Sequence, residues 1–252
     1  MYFGLPNVRG SCWVNAALQS IFSTPLMKDH EADPTNPVDV YLTSLYKSGG
    51  KQHLKDLFES IKTSYIPAGD TIGDSHELIV HLCDKLPWLD KAFRFKVGNQ
   101  IICKTCGTKK IKEDSVLEIN LSPQHPNVPI LECLQDFIKP IEIDGWDCDV
   151  CKEKRTCVSQ TLFGQFPKIL MIHRTPVAAS MTYSAVLVIN NLKYVLFAVV
   201  CFNGGHWWMY ARNMPPGQPW HELNDSLVRP MSANQFPVAG TMRILLYFLV
   251  EN

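Results

Sequence analysis

The chain has no excess of charge of either sign: among 252 residues, 24 are lysine or arginine and 24 are aspartate or glutamate. A balanced chain sets up no global field toward nucleic acid or an anionic bilayer, so neither is expected as a partner, and electrostatic recognition has to be local. Long apolar runs are missing as well. The longest, Tyr194 to Phe202 and Ile244 to Val250, fall short of the roughly 20 residues that cross a bilayer as a helix. The sequence does not open on a basic stretch followed by an apolar one, so no membrane association is expected. It also contains no internal repeat and no low-complexity tract.

Cysteine, in contrast, is plentiful. Nine cysteines in a small secreted protein would suggest disulfides, but the odd count and two Cys-x-x-Cys pairs favour metal binding and catalysis in a reducing compartment, cytosol or nucleus. Cys103-Lys104-Thr105-Cys106 and Cys148-Asp149-Val150-Cys151 are two turns, each able to place two thiolates on one tetrahedral metal. Together they saturate one structural Zn2+ site. The sequence between the pairs is strand-like, so such a metal would pin the ends of an extended β subdomain that has little core of its own. Cys83, Cys133 and Cys201 fall where buried thiols act as small hydrophobes.

Two further strings carry chemistry. The first runs from Gly4 to Gln19 as Gly-Leu-Pro-Asn-Val-Arg-Gly-Ser-Cys-Trp-Val-Asn-Ala-Ala-Leu-Gln, with Cys12 inside it. The second, Gly204-Gly205-His206-Trp207-Trp208-Met209-Tyr210, is followed by Trp220-His221-Glu222-Leu223-Asn224-Asp225. They supply a thiol, an imidazole and a side chain able to orient the imidazole, the parts of a thiol hydrolase. Helical spacing from Val14 to Phe22 places Cys12 at or just before a helix N-terminus, where the partial positive charge favours a thiolate.

Helical patterns recur near Pro37 to Tyr46, His53 to Ser64 and Ser75 to Leu86. From Phe93 the texture changes to short alternating segments, including Ser115 to Leu121, Lys168 to Ile172, Ala185 to Ile189, Tyr194 to Val200 and Met242 to Leu249, with one helix at Leu131 to Phe137. Helices first and antiparallel strands later predict an α+β fold, with the nucleophile helix meeting the histidine strand across a cleft between two lobes.

The combination resembles the ubiquitin-specific protease family of cysteine deubiquitinases over essentially the whole chain. Gly4, Leu5, Asn7, Cys12, Asn15, Leu18 and Gln19 match its nucleophile box. Tyr194, Leu196, Ala198, Val199, Gly205, His206 and Tyr210 match its histidine box, and Trp220, Asn224, Asp225 and Val228 the segment after it. Asp74-Ser75-His76-Glu77-Leu78 and Phe166-Pro167-Lys168-Ile169-Leu170 resemble two further family segments.

The resemblance implies a papain-like fold in a single domain: a thumb over about 1–92, zinc-stapled fingers over about 93–165 and a palm mainly over 166–252. It implies that a monomer acts on ubiquitin or ubiquitinated proteins, with Cys12 as nucleophile, His206 as base, Asn224 as the group orienting it, Asn7 as oxyanion donor and Asp225 assisting. Asp74 would hold backbone amides of the ubiquitin tail; as residue types, Asp74 and Glu77 equally make a helix capping box.

Three departures stand out. Arg9 occupies a position where the family has glycine, so the loop presenting Asn7 is expected to be rebuilt; Ile72 replaces a glutamine; and Cys201 to Gly205 is short for the family's gate before the histidine. Gly10-Ser11-Cys12-Trp13 also resembles papain-type proteases, which would leave both cysteine pairs unexplained. The remaining alternatives are a ubiquitin-binding module with its chemistry disabled, or a protease for a ubiquitin-like modifier such as SUMO. His76 and His173 are expected to be an ordinary surface and an ordinary strand histidine.

Overall fold

The computed structural model describes residues 2–64, 73–175, 178–214, 218–232 and 240–250; Ile72 lies outside them. The first third is helical, as expected: α1 (Cys12–Phe22), α2 (Pro37–Lys47), α3 (Leu54–Ser64), α4 (Ser75–Lys85) and α5 (Pro87–Phe93). The start of α2 follows from its first residues, since the Asn36 side chain accepts from the amides of Val38 and Asp39 while proline occupies the first helical turn. Every residue of α1 is buried. It lies between α4 on one side and the central sheet on the other, so it has no solvent face to keep polar.

The sheet that receives it is the palm. Its strands are β3 (Glu118–Leu121), β7 (Ile169–Arg174), β9 (Val186–Ile189), β10 (Leu192–Phe202), β11 (Trp207–Arg212), β12 (Trp220–Asn224), β13 (Leu227–Pro230) and β14 (Met242–Val250). They run in the order β13-β12-β11-β10-β14-β7-β3, with β9 also paired to β10. Among the described residues of this sheet, only the β3–β7 pairing is parallel. Side chains alternate faces along a strand. Ile169 and Met171 of β7, with Ile244 and Leu246 of β14, therefore join the helices, whereas Leu170, Ile172, Leu245 and Tyr247 join a second core on the other face. Burial of both faces explains why these strands read as continuous apolar runs.

The fingers are a separate antiparallel sheet, β2-β1-β6-β5, made of β1 (Phe95–Cys103), β2 (Lys109–Val116), β5 (Ile141–Cys148) and β6 (Glu153–Phe163). The range expected for them is divided in the structure. Phe93 ends α5, while β3 and α6 (Ile130–Ile138) pack with the palm and its second core. The two-residue strands β4 (Val128–Pro129) and β8 (Met181–Thr182) pair in parallel beside α6. In β2 all residues but the last are exposed, and in β5 only Cys148 is buried. Apolar burial alone therefore contributes little to holding the far ends of this sheet.

One close approach fixes the N-terminal segment. Leu5 N donates to Asp225 O at 2.9 Å in the turn between β12 and β13, and a Cβ on Gly4 would lie 2.3 Å from the Ser226 carbonyl oxygen. Only glycine fits there, because the obstacle is backbone. We predict that Gly4→Ala lowers unfolding stability by about 1–3 kcal/mol, whereas Gly240→Ala, where an added Cβ meets nothing within 4 Å, changes it by less than about 0.5 kcal/mol. Urea unfolding of the two variants checks the contrast.

Candidate active site and metal centre

Cys12 is the first residue of α1 and is 8% exposed. Its approach is built by side chains of the same string. Asn15, one helical turn on, donates its amide to Asp225 Oδ1 at 2.8 Å and also reaches the carbonyls of Leu5 and Pro6. Gln19, a turn further, donates to the carbonyl of Phe3. Spacings of three and four residues put these groups on one face of α1 with Cys12, so the helix itself ties down the segment that precedes it. Asn15 and Gln19 were matched in the sequence without a role; their function is local and structural.

Asn7 is held at both ends of its amide. Its Oδ1 accepts from Gly10 N at 3.1 Å, a turn contact, and its Nδ2 donates to Asp225 Oδ2 at 2.8 Å. In the loop between, Arg9 itself takes the left-handed backbone that glycine favours, as does Gly10, at φ of 52° and 82°. For Arg9 that conformation costs roughly 1–2 kcal/mol. Two anchors hold the loop against this strain, since Ser11 Oγ accepts from Val8 N at 2.8 Å in addition to the Asn7 turn.

The histidine side is a tight hairpin. Phe202 of β10 pairs with Trp207 of β11, leaving Asn203 to His206 as the loop. Gly204 supplies a φ of 97°, and Asn203 Oδ1 accepts from the amides of Gly205 at 3.1 Å and His206 at 2.9 Å. His206 Nε2 meets Asn224 Oδ1 at 2.7 Å but Asp225 Oδ2 only at 3.9 Å. The amide oxygen of Asn224 can only accept, so Nε2 carries the proton and Nδ1 is the basic nitrogen. Of Asn224 and Asp225, only Asn224 lies within hydrogen-bond distance of the ring.

Asp225 has a different place. At φ 52° in the β12–β13 turn, its carboxylate takes the amides of Asn7 and Asn15, and its side chain is 16% exposed. Asp74 caps α4, accepting from His76 N at 2.7 Å; burial pushes its carboxyl pKa up. The capping alternative is thus realised at Asp74. Ser75 Oγ also donates to Trp13 O at 2.8 Å, joining the first turn of α4 to the residue after the thiol.

The cysteine pairs meet at the tip of the fingers, where the sulfurs of Cys103, Cys106, Cys148 and Cys151 all lie within 4.8 Å of one another and none is in a disulfide. A tetrahedral ion with bonds of about 2.3 Å sets its sulfurs about 3.8 Å apart, so the cluster fits a metal. Both turns are shaped for it: Gly107 and Lys152 take left-handed backbone, and Cys151 N points at Cys148 Sγ at 3.5 Å. The Thr108 hydroxyl pulls the Cys106 thiol pKa down to about 6.

The comparisons agree with this geometry. Residues 3–247 match the family "Ubiquitin carboxyl-terminal hydrolase". Ubiquitin carboxyl-terminal hydrolase 2 of Bos taurus is 26% identical over 169 residues, covering 56% of this chain and 28% of its own length. Probable ubiquitin carboxyl-terminal hydrolase 8 of Schizosaccharomyces pombe is 21% identical over 298 residues, covering 97% of this chain and 64% of its own length. The chain thus spans less than a third of the first of these relatives. The fold matches Ubp8 in a SAGA DUB module bound to monoubiquitin with a TM-score of 0.85 at 17% identity, over 99% of this chain and 69% of that one. A module bound to ubiquitin aldehyde gives 0.84 at 16%, over 99% and 70%. A family pattern running from residue 3 to residue 247, on a palm, thumb and fingers fold, makes this chain a member of the ubiquitin carboxyl-terminal hydrolase family.

Proposed function

We propose that the chain is a thiol-dependent deubiquitinase, cleaving the bond after the C-terminal glycine of ubiquitin. The observation that carries the reading is the hydrogen bond from His206 to Asn224, placed on the Asp225 turn to which the Cys12 helix is tied. With Nε2 held by Asn224, Nδ1 of His206 takes the thiol proton and Cys12 Sγ attacks the glycine carbonyl. The tetrahedral intermediate collapses as the imidazolium gives its proton to the leaving lysine amine, and a thioester remains. Water, deprotonated by the same imidazole, then releases the ubiquitin carboxylate and the thiol.

Asn7 is the oxyanion donor. One of its two amide hydrogens goes to Asp225, which fixes the plane of the amide and leaves the other for the developing charge. Asp225 is a positioning residue. The second carboxylate oxygen of Asp74 takes a backbone amide of the extended ubiquitin tail, while the first keeps capping α4.

The metal held by the four cysteines is a structural Zn2+, one per chain, and it staples the sparsely packed tip of the fingers. Four thiolates leave the ion no open position, so it takes no part in the chemistry. Dependence on a free thiolate fits residence in the cytosol or nucleus.

Intact mass after incubation with ubiquitin carrying a C-terminal electrophile tests the reading. The wild-type chain is expected to gain one ubiquitin and Cys12→Ala none; an adduct that survives Cys12→Ala, or a folded chain that reacts only with a SUMO probe, contradicts it. Asn224→Ala is expected to lower kcat by about 10²-fold or more with little change in KM, and an unchanged kcat would remove Asn224 from its role. Cys106→Ser is expected to lose zinc and melting temperature together, and a full zinc content at unchanged melting would exclude the staple.

A further inference from the structure

Where the first turn of α4 meets the β3–β7 edge of the palm, a second group of ligating side chains comes together. Ring nitrogens of His76 and His173 and a carboxylate oxygen of Glu118 lie within 4.8 Å of one another. The two imidazoles stack at 3.8 Å between centroids and 12° apart, and His76 Nε2 is hydrogen-bonded to Glu118 Oε2. His173 is 8% exposed, and the side chains of His76 and Glu118 are 15% and 14% exposed. His173 stands on a strand as expected, but the reading of His76 as a surface histidine, and of both as ordinary, is corrected. They belong to one partly buried cluster drawn from thumb and palm.

A residue between two of these ligands organises them. Asn120, the register partner of His173 across β3 and β7, donates Nδ2 to Glu118 Oε1 at 2.8 Å, which fixes its amide, and its Oδ1 faces His173 Nδ1 at 2.8 Å. An amide oxygen only accepts, so His173 carries its proton on Nδ1 and presents a lone pair at Nε2. The same amide leaves Glu118 Oε2 for a ligand. An imidazole whose far nitrogen donates to an oxygen, beside a carboxylate that is itself hydrogen-bonded, is the outer arrangement that metal-binding histidines use.

We propose that His76, Glu118 and His173 form a second divalent-metal site, of the Zn2+ class, with Asn120 as the residue that positions the ligands. Two imidazoles and one carboxylate are a zinc ligand set that leaves a fourth position for water, and the partial exposure of His76 and Glu118 gives the ion a route in. The surrounding charge favours a dication. The carboxylates of Glu118, Asp74 and Glu77 act on His76, against the cation of Arg243, which acts on His173 and Asp74. The ion displaces the proton that His76 shares with Glu118. It then ties α4 to the palm two residues from Asp74 and beside the Ser75–Trp13 bond, so it clamps the thumb next to the nucleophile.

Native mass spectrometry of the full chain titrated with Zn2+ tests the site, with melting temperature as the second readout. Wild type is expected to bind one more ion than His173→Ala or Glu118→Gln, and to gain melting temperature with added zinc where those variants do not. Asn120→Ala is expected to keep the extra ion but bind it about 10–100-fold more weakly. Should His173→Ala fail to fold, Glu118→Gln decides, since it preserves size and the bond from Asn120. A wild-type zinc count equal to that of Glu118→Gln overturns the site and leaves the cluster an ion pair beneath a buried histidine. Because ions are counted without substrate, failure here is separate from failure of the proposed hydrolysis.

Discussion

The carboxylate of Asp225 joins the two halves of the cleft. It receives Asn7 from the N-terminal segment and Asn15 from α1, each at 2.8 Å, and its own carbonyl receives Leu5 N. Hydrogen bonds to an ionised acceptor contribute roughly 1.5–3 kcal/mol each, and the one from Asn15 is partly buried whereas the one from Asn7 is exposed. The residue before it holds His206. One left-handed turn therefore sets the Cys12 helix, Asn7 and His206 in a common frame. Gly4, with no Cβ to strike Ser226, is what lets the N-terminal segment come close enough.

The lobes are built on different terms. The palm buries both faces of its sheet, and α1 is enclosed between that sheet and α4. Precision in this part comes from packing. The fingers bury little, and four cysteines converge where the packing gives out. The cluster of His76, Glu118 and His173 sits on the seam between thumb and palm, the place where an added ion would most affect how the helices seat beside the cleft.

Much of this was legible in the sequence because one face or both had to be apolar. The helices beginning at Pro37, Leu54 and Ser75 and the strands β7, β10 and β14 stand where periodicity or continuous apolar runs predict them. The bounds of the fingers strands were less legible for the opposite reason. Lys109–Val116 and Ile141–Cys148 are exposed along nearly their whole length, so no alternation fixes their bounds, and the sequence between the cysteine pairs reads only as strand-like. The helix Pro87–Phe93 has seven residues, too few for a period to register. At the site, Cys12, His206, Asn224 and the four zinc candidates came from motif and spacing. The grip of Asn15 on Asp225 did not, because it joins residues 15 and 225 through a turn geometry that no local pattern encodes. The stacking of His76 on His173 was hidden likewise, as the two meet only through the placement of α4 on β7.

A double-mutant cycle on Asn15→Ala and Asp225→Ala, followed by urea unfolding and by the rate of thiol labelling at Cys12, tests the joining of the two halves most directly. A coupling of about 1.5–3 kcal/mol, with the double variant labelled at nearly the rate of either single one, is the predicted result. Additivity within about 0.5 kcal/mol would contradict the account, because the Cys12 helix and the turn beside His206 would then stand independently.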